Sequence, residues 1–326
     1  MQISVVIPVY NAAAFVREAV ESALAQPETA EVVLVEDGSP DGSLAVCEEL
    51  AATHGAVLLY RHPNGENRGA GATRNLGILN SRFEFVAFLD ADDFYLPGRF
   101  GMPRQILEAD PVLEGVYEAV GTHVEDQAGL AQWESHGKPA DFLTTVSERV
   151  APERLLAELC LGELGHFHLD GLVVKRSVFE RTGPFDEHLR LHQDTAMMYK
   201  LAAVARLAPG SLEQPVAMRR LHAQNRISAP RSASDIYEKR MLLFETLWEW
   251  AKANLSPEQE RMLLELYLRG AIQWAGLSDD TLMWKMLARY LLAKLPFRTP
   301  ALLREPLYWL CFLPGIDRRM KTARFT

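Results

Sequence analysis

"VAFLDADDFY", residues 86 to 95, sets three carboxylates, Asp90, Asp92 and Asp93, directly behind an apolar run. An ionised carboxylate is costly to bury unless something pairs with it. The acids therefore mark either a strand end opening into water or a site built around a cation. Side chains alternate along a strand, so Asp90 and Asp92 start on opposite faces until the following loop redirects one of them. Oxygen ligands of this kind suit Mg²⁺ or Mn²⁺, whose shells take one or two protein carboxylates together with substrate phosphates. Asp93 has a second reading, as the cap of a following helical turn.

Working outward, "ISVVIPV" (3 to 9), "EVVLVEDGS" (31 to 39) and "AVLLYR" (56 to 61) are apolar runs bounded by turn residues. Between them lie "NAAAFVREAVESALAQ", with Phe15, Ala19, Val20, Ala23 and Leu24 on one helical face, and residues 41 to 53; "GATRNLGILN" then leads into "FEFVAFLD". Continuous apolar strands alternating with helices predict an α/β fold with a mostly parallel sheet covered on both faces. Asn11 is placed to cap the first helix. Asp37 and the Asp90 cluster both fall at carboxyl ends of predicted strands, where open α/β sheets bind ligands.

Further on, 112 to 124 reads as strand, 152 to 164 as helix, and "LDGLVVKRSVF" as a strand entering a helix. From Ser232 onward three segments, "DIYEKRMLLFETLWEWAKAN", "SPEQERMLLELYLRGAIQWAG" and "DDTLMWKMLARYLLAKL", read as successive amphipathic helices, the second started by Ser256 and Pro257. The expected partition is an α/β domain over 1–230 followed by a helical region over 231–326.

A net charge of −9 over 326 residues argues against a nucleic-acid binder. Residues 281–326 nonetheless carry nine Lys or Arg against Glu305 and Asp317. With "PLYWLCFLP" (306 to 314) in the same region, this suggests a peripheral membrane contact, the alternative being a packing helix with a solvated tail. Three scattered cysteines (47, 160 and 311) form no disulfide framework, and "MQISVVIPVYN" lacks the features of a secretory leader, so a cytoplasmic location is expected.

The loops narrow the chemistry. "PVYNAAAF" lacks the glycines a dinucleotide fold needs beside pyrophosphate, and no P-loop is present. "VEDGSPDGS" is either an ordinary turn or a place where Asp37 accepts hydrogen bonds from a base or ribose. In "NGENRGAGATRNLG", Arg74 is suited to pair with a carboxylate or to reach phosphate oxygens.

Together, "VVIPVYN", the "EDGS" turn, "NRGAGATRN" and "DAD" resemble the family 2 glycosyltransferases of GT-A fold, with Glu36 where many relatives carry Asp and Thr73 where Ala is commoner. "GPFDEHLRLHQDTAMMYKL" is similar to that family's acceptor-side pattern, with Gln193 in place of its Glu, and "MRRLHAQNRIS" resembles a late segment meeting metal or diphosphate. The resemblance covers residues 3 to 228 and implies that 1–230 is a catalytic domain with a nucleotide-binding half (1–110) and an acceptor-side half (111–230). It implies inverting transfer of a sugar from a nucleotide diphosphate donor, UDP by family frequency, to a glycan or lipid-linked acceptor, with Mn²⁺ or Mg²⁺ as cofactor. By that resemblance Asp194 is the catalytic base, Asp90, Asp92 and His222 are metal ligands, and Pro8, Tyr10, Glu36, Asp37, Arg68, Arg74, Asp90, Ala91 and Arg220 line the donor. His166, His168, Asp170 and His192 flank the expected cleft, His168 and Asp170 as candidates to orient an acceptor. A nucleotidyltransferase and a noncatalytic sugar-nucleotide binder remain as rival classes.

Overall fold

The structure, a computed structural model, describes residues 1–225, 233–275 and 300–310. The chain divides into two compact units, Met1–Pro230 and Arg231–Thr326.

The first unit is built on a seven-stranded sheet. β1 (Ile3–Val9), β2 (Thr29–Glu36), β3 (Val57–Arg61) and β4 (Phe85–Phe88) are followed later in the chain by β6 (Gly115–Tyr117), β8 (Leu172–Lys175) and β9 (Leu207–Pro209), in the order β3-β2-β1-β4-β8-β6-β9. All neighbouring pairs are parallel except the two made by β8, which runs against β4 and β6. Helices cover both faces. Val16, Ala19, Val20 and Ala23 of α1 (Val16–Leu24), with Cys47 and Leu50 of α2 (Ser43–Thr53), pack on Ile3, Val5, Ile7, Val32 and Leu34. On the other face α3 (Ala70–Asn80) lies so close to β1 that a Cβ at Gly77 would stand 2.3 Å from Val6 Cγ1.

A second sheet, β5 (Phe94–Tyr95), β10 (Ala217–Leu221) and β7 (Val120–Val124), follows the acidic loop. The helices α4 (Gly101–Ala109), α5 (Gln127–Ser135), α6 (Leu155–Leu161), α7 (Phe179–Thr182) and α8 (Gln193–Val204) complete the unit. Two expectations are corrected. The strand expected over 112 to 124 is broken into β6 and β7 in different sheets, because fully buried Glu118 turns inward to meet fully buried Arg99 at 2.6 Å. Asn11 does not cap α1, which starts five residues later. Its backbone is left-handed (φ 52°) and its N–H donates to Ser39 Oγ, while the next two amides bond Ser43 and Asp41. That loop is pulled toward the β2 turn rather than onto the helix.

In the second unit α9 (Ala233–Asn254) and α10 (Pro257–Ala275) form an antiparallel hairpin, with Trp248 against Tyr267 and Gly270 against Phe244. Ser256 and Gln259 exchange side-chain and backbone hydrogen bonds ahead of Pro257, a capping box that starts α10. The third helix expected from the sequence lies outside the described residues. Residues 306–310 form a short helix, and the rest of "PLYWLCFLP" lies outside them.

Candidate active site

The carboxyl ends of β1, β2 and β4 lie side by side, so the loops after them share one edge of the sheet. Near the end of β1 Pro8 is half-buried, and just after the strand Tyr10 is 41% exposed, leaving an aromatic face open at the edge. After β2 the acids turn inward. Glu36 is fully buried, ion-paired to Arg61 at 2.9 Å and accepting the Ser39 N–H. Asp37 accepts the backbone N–H groups of Arg68 (2.7 Å) and Gly69 (2.9 Å), one on each oxygen, with His62 nearby at 3.6 Å. Asp37 is only 2% exposed, so it clamps the glycine-rich loop onto β2 instead of offering its carboxylate to a base, and Glu36 supports the turn rather than lining a ligand. Gly38 permits this closure: its φ is +69°, and a Cβ there would meet the Gly65 carbonyl at 2.5 Å. Arg68 remains exposed at the loop tip.

After β4 the three acids separate. Asp90 accepts a hydrogen bond from Arg74 at 2.5 Å, and its N–H reaches Asp170 Oδ1. Arg74 is 4% exposed and also touches Gln193, so it is a buried counter-charge for Asp90 rather than an open phosphate ligand. Burial pushes the Asp90 carboxyl up despite Arg74. Ala91 is buried between the two acids. Asp92 turns the other way, one-third exposed, with Oδ2 3.1 Å from His222 Nε2 and 3.5 Å from Asn225. Asp93 caps no helix: it is buried and accepts the Arg220 N–H. Burial, then the neighbouring Asp92 and Asp170, push its carboxyl well up. Asp170 is also pushed up by burial, but His168 and a hydrogen bond shared with Asp93 outweigh that and hold it low. Asp170 Oδ2 is buried without a hydrogen-bond partner, 3.5 Å from His168 Nδ1.

Arg220 also differs from expectation. Only 4% exposed, it donates from Nε to the Asp92 carbonyl and from its two terminal nitrogens to Glu125 and Glu18, and it sits over the rings of Phe15 and Phe94. Three of its five side-chain N–H donors are engaged within the protein, so in this conformation it latches the acidic loop.

Asp194, expected from the sequence to face an acceptor, stands in the first turn of α8, after His192 in a left-handed conformation. Its Oδ1 accepts the Thr195 N–H, which leaves Oδ2 unengaged by that turn. Burial raises its pKa, but Arg74 and the Thr195 N–H dominate and hold it below the usual carboxylate value. The preceding residue, Gln193, gives Arg74 a neutral contact, so Asp90 remains that arginine's ion-pair partner.

Two donor sets suit a divalent cation. Ligand atoms of Asp90, His168 and Asp170 all lie within 4.8 Å of one another, and Asp92 and His222 make a second, more open pair. The sequence reading grouped Asp90 with Asp92 and His222. Arg74 instead draws Asp90 to the inner set. His168 and Asp170 were legible only as cleft residues, because they precede the one reversed strand and no carboxyl-end rule points to them.

Residues 4–128 match the family described as "Glycosyl transferase family 2". An "Uncharacterized glycosyltransferase" of Rickettsia felis is 33% identical over 208 residues, 62% of this chain and 32% of that protein, so the chain spans about a third of that relative's length. Residues 1–349 of TarS from S. aureus, solved in complex with UDP-GlcNAc, superpose with a TM-score of 0.64 at 19% identity, covering 98% of this chain and 89% of TarS 1–349. The mannosyltransferase PcManGT from Pyrobaculum calidifontis, solved with GDP-Man and Mn²⁺, gives 0.51 at 18% identity over 98% of this chain and 84% of that one. Sheet order, the loops at its carboxyl edge and these matches together show a GT-A-type fold whose residues 4–128 are similar to glycosyltransferase family 2.

Proposed function

We propose that the protein transfers a sugar from a nucleotide diphosphate donor, UDP favoured, to a hydroxyl of a glycan or lipid-linked acceptor, with inversion at the anomeric carbon. One observation carries this reading: Arg74 pairs with Asp90 and touches Gln193, the residue before Asp194, which brings the Asp194 carboxylate and the acidic loop to the same edge. Tyr10, Pro8 and Arg68 are the remaining open residues for the nucleotide, in the half formed by residues 1–110. Asp194 Oδ2 takes the acceptor proton as the acceptor oxygen attacks, within the half formed by 111–230. Asp92 and His222 would hold the Mn²⁺ or Mg²⁺, because Asp92 is open where a donor phosphate also reaches, whereas Asp170 is fully buried. When bound, the ion supplies positive charge to the departing diphosphate.

Titration of UDP and other nucleoside diphosphates with and without Mn²⁺, followed by donor turnover, tests the proposal. Asp92→Ala should lose metal-dependent nucleotide binding. Asp194→Asn should bind nucleotide as the wild type does and lose transfer. Normal transfer by Asp194→Asn would remove it as the base, and release of pyrophosphate would favour a nucleotidyltransferase.

No helix among the described residues is long and apolar enough to cross a membrane. We assign the basic carboxyl-terminal region a peripheral contact on the cytoplasmic face. Trp309 and Leu303, 54% and 50% exposed, support it. Truncation of residues 306–326 should lower flotation with anionic liposomes, and unchanged flotation would sink the assignment.

A further inference from the structure

The turn that follows β10 is closed by Asn225. Its N–H donates to the His222 carbonyl at 3.0 Å, and its Oδ1 accepts the His222 N–H at 2.6 Å. That short contact fixes the orientation of the side-chain amide, because a backbone N–H faces the oxygen and not the NH₂ group. The other end therefore carries the two donors, and it faces Asp92 Oδ2 at 3.5 Å, 133 positions away in the chain. The same oxygen lies 3.1 Å from His222 Nε2. One side chain thus spans both residues proposed above to hold the cation, gripping the backbone of one and the carboxylate of the other.

Asp92 Oδ2 meets His222 and Asn225, whereas Oδ1 meets no donor among the described residues, so Oδ1 is the oxygen left open to an ion. Asn225 is not itself a ligand in this arrangement: its oxygen is turned to the His222 amide and its nitrogen end has only donors to offer. A carboxylate held before the ion arrives has less side-chain freedom to lose on binding it. The turn has a second anchor that does not reach the acid. Asp126, at the start of α5, accepts the Gly129 N–H on Oδ1 at 2.7 Å and the Ala223 N–H on Oδ2 at 3.1 Å. Asp126 and Asn225 secure the same turn, and of the two only Asn225 also meets Asp92.

We propose that Asn225 is a positioning residue for the divalent cation: it sets Asp92 and His222 at one spacing, so that Asp92 Oδ1 meets the ion already oriented. This rests on the transferase reading above and on its placement of the ion at Asp92 and His222.

The test is titration of Mn²⁺ into the full chain with UDP present, read by the electron paramagnetic resonance signal of free Mn²⁺, with UDP alone as the blank. Asn225→Ala should raise the Mn²⁺ dissociation constant about tenfold or more, the loss expected when a group that orients a metal ligand is removed. Asn225→Gln, which keeps the amide on a longer arm, should fall between that variant and the wild type. Asp126→Ala loosens the same turn but orients no ligand side chain, so it should stay within about twofold of the wild type. In turnover, Asn225→Ala should need more Mn²⁺ for half-maximal rate and regain the wild-type kcat at saturating Mn²⁺, because no group that touches a substrate has been removed. An unchanged Mn²⁺ constant in Asn225→Ala would overturn the proposal. An equal loss in Asp126→Ala would overturn it too, by reducing Asn225 to a fastener of the turn, as would a kcat that stays low at saturating Mn²⁺. Failure of the wild type to bind Mn²⁺ with any nucleoside diphosphate is a separate result, and it would overturn the transferase reading instead.

Discussion

Replacing Arg220 by Ala removes the latch of the acidic loop without touching any carboxylate of the site. The side-chain bonds lost are Nε to the Asp92 carbonyl at 2.9 Å and the two ion pairs to Glu18 and Glu125 at 2.5 Å each. Glu18 and Glu125 are 56% and 40% exposed, so each pair contributes at most about 1 kcal/mol. The bond to the buried carbonyl contributes about 1.5 to 3 kcal/mol and each ring contact about 0.5 to 1 kcal/mol. The expected loss is about 4 kcal/mol, within the range for breaking a buried charge network. The Asp93 bond is made by the Arg220 backbone and survives the substitution. Urea unfolding followed by tryptophan fluorescence should show a lower midpoint, with Arg220→Lys intermediate because charge is kept and the fork is lost. Metal-dependent nucleotide binding, measured below the unfolding midpoint, should weaken as the Asp92 loop loosens. A stability change under about 1 kcal/mol together with lost nucleotide affinity would refute the reasoning and return Arg220 to the role of a direct ligand contact.

Three further outcomes follow from the same geometry. Gly129 of α5 faces β10 so closely that a Cβ would meet the His222 nitrogen at 2.4 Å; Gly129→Ala should cost about 1 to 3 kcal/mol and weaken metal-dependent nucleotide binding through His222, read by unfolding and titration. Because the folded pKa of Asp194 lies below its ordinary 3.8, its carboxylate stays ionised down to that lowered value, so transfer should show no loss from this group between pH 7 and 5. Its contribution to stability is present above the unfolded pKa and is lost as pH falls through the folded one; a pH–rate profile with an acid limb centred near 6 would contradict this assignment. Trp248, fully buried against Tyr267, should cost about 3 to 5 kcal/mol when replaced by Ala, seen as early melting of helical circular dichroism.

The parallel half of the fold was legible because its strands are unbroken apolar runs and its helices show one apolar face, as in β1 and α1. The edge that carries the acids could be read from the same pattern, since Asp37 and Asp90 follow strands directly. What each acid does there was not legible. Glu36, Asp37, Asp90, Asp92 and Asp93 look alike in sequence, and their burial depends on partners 16 to 133 positions away: Arg61, the Arg68 and Gly69 amides, Arg74, His222 and Asn225, and Arg220. Arg220 was hidden similarly, because its partners Glu18 and Glu125 come from α1 and the end of β7. Lys138 and Arg219, some eighty residues apart, both lie over the Trp133 ring, which no local period announces.

The reversal of β8 bears on how such an enzyme diversifies. Running against β4, it delivers the residues before it, including His168 and Asp170, to the edge where the other strands deliver the residues after them. The loops after β1, β2 and β4 and the segment entering β8 therefore meet at one place while belonging to separate stretches of chain. Selection can lengthen or recharge residues 136–168 while β1 to β4 keep their register. One backward strand gives the site two independently evolvable walls.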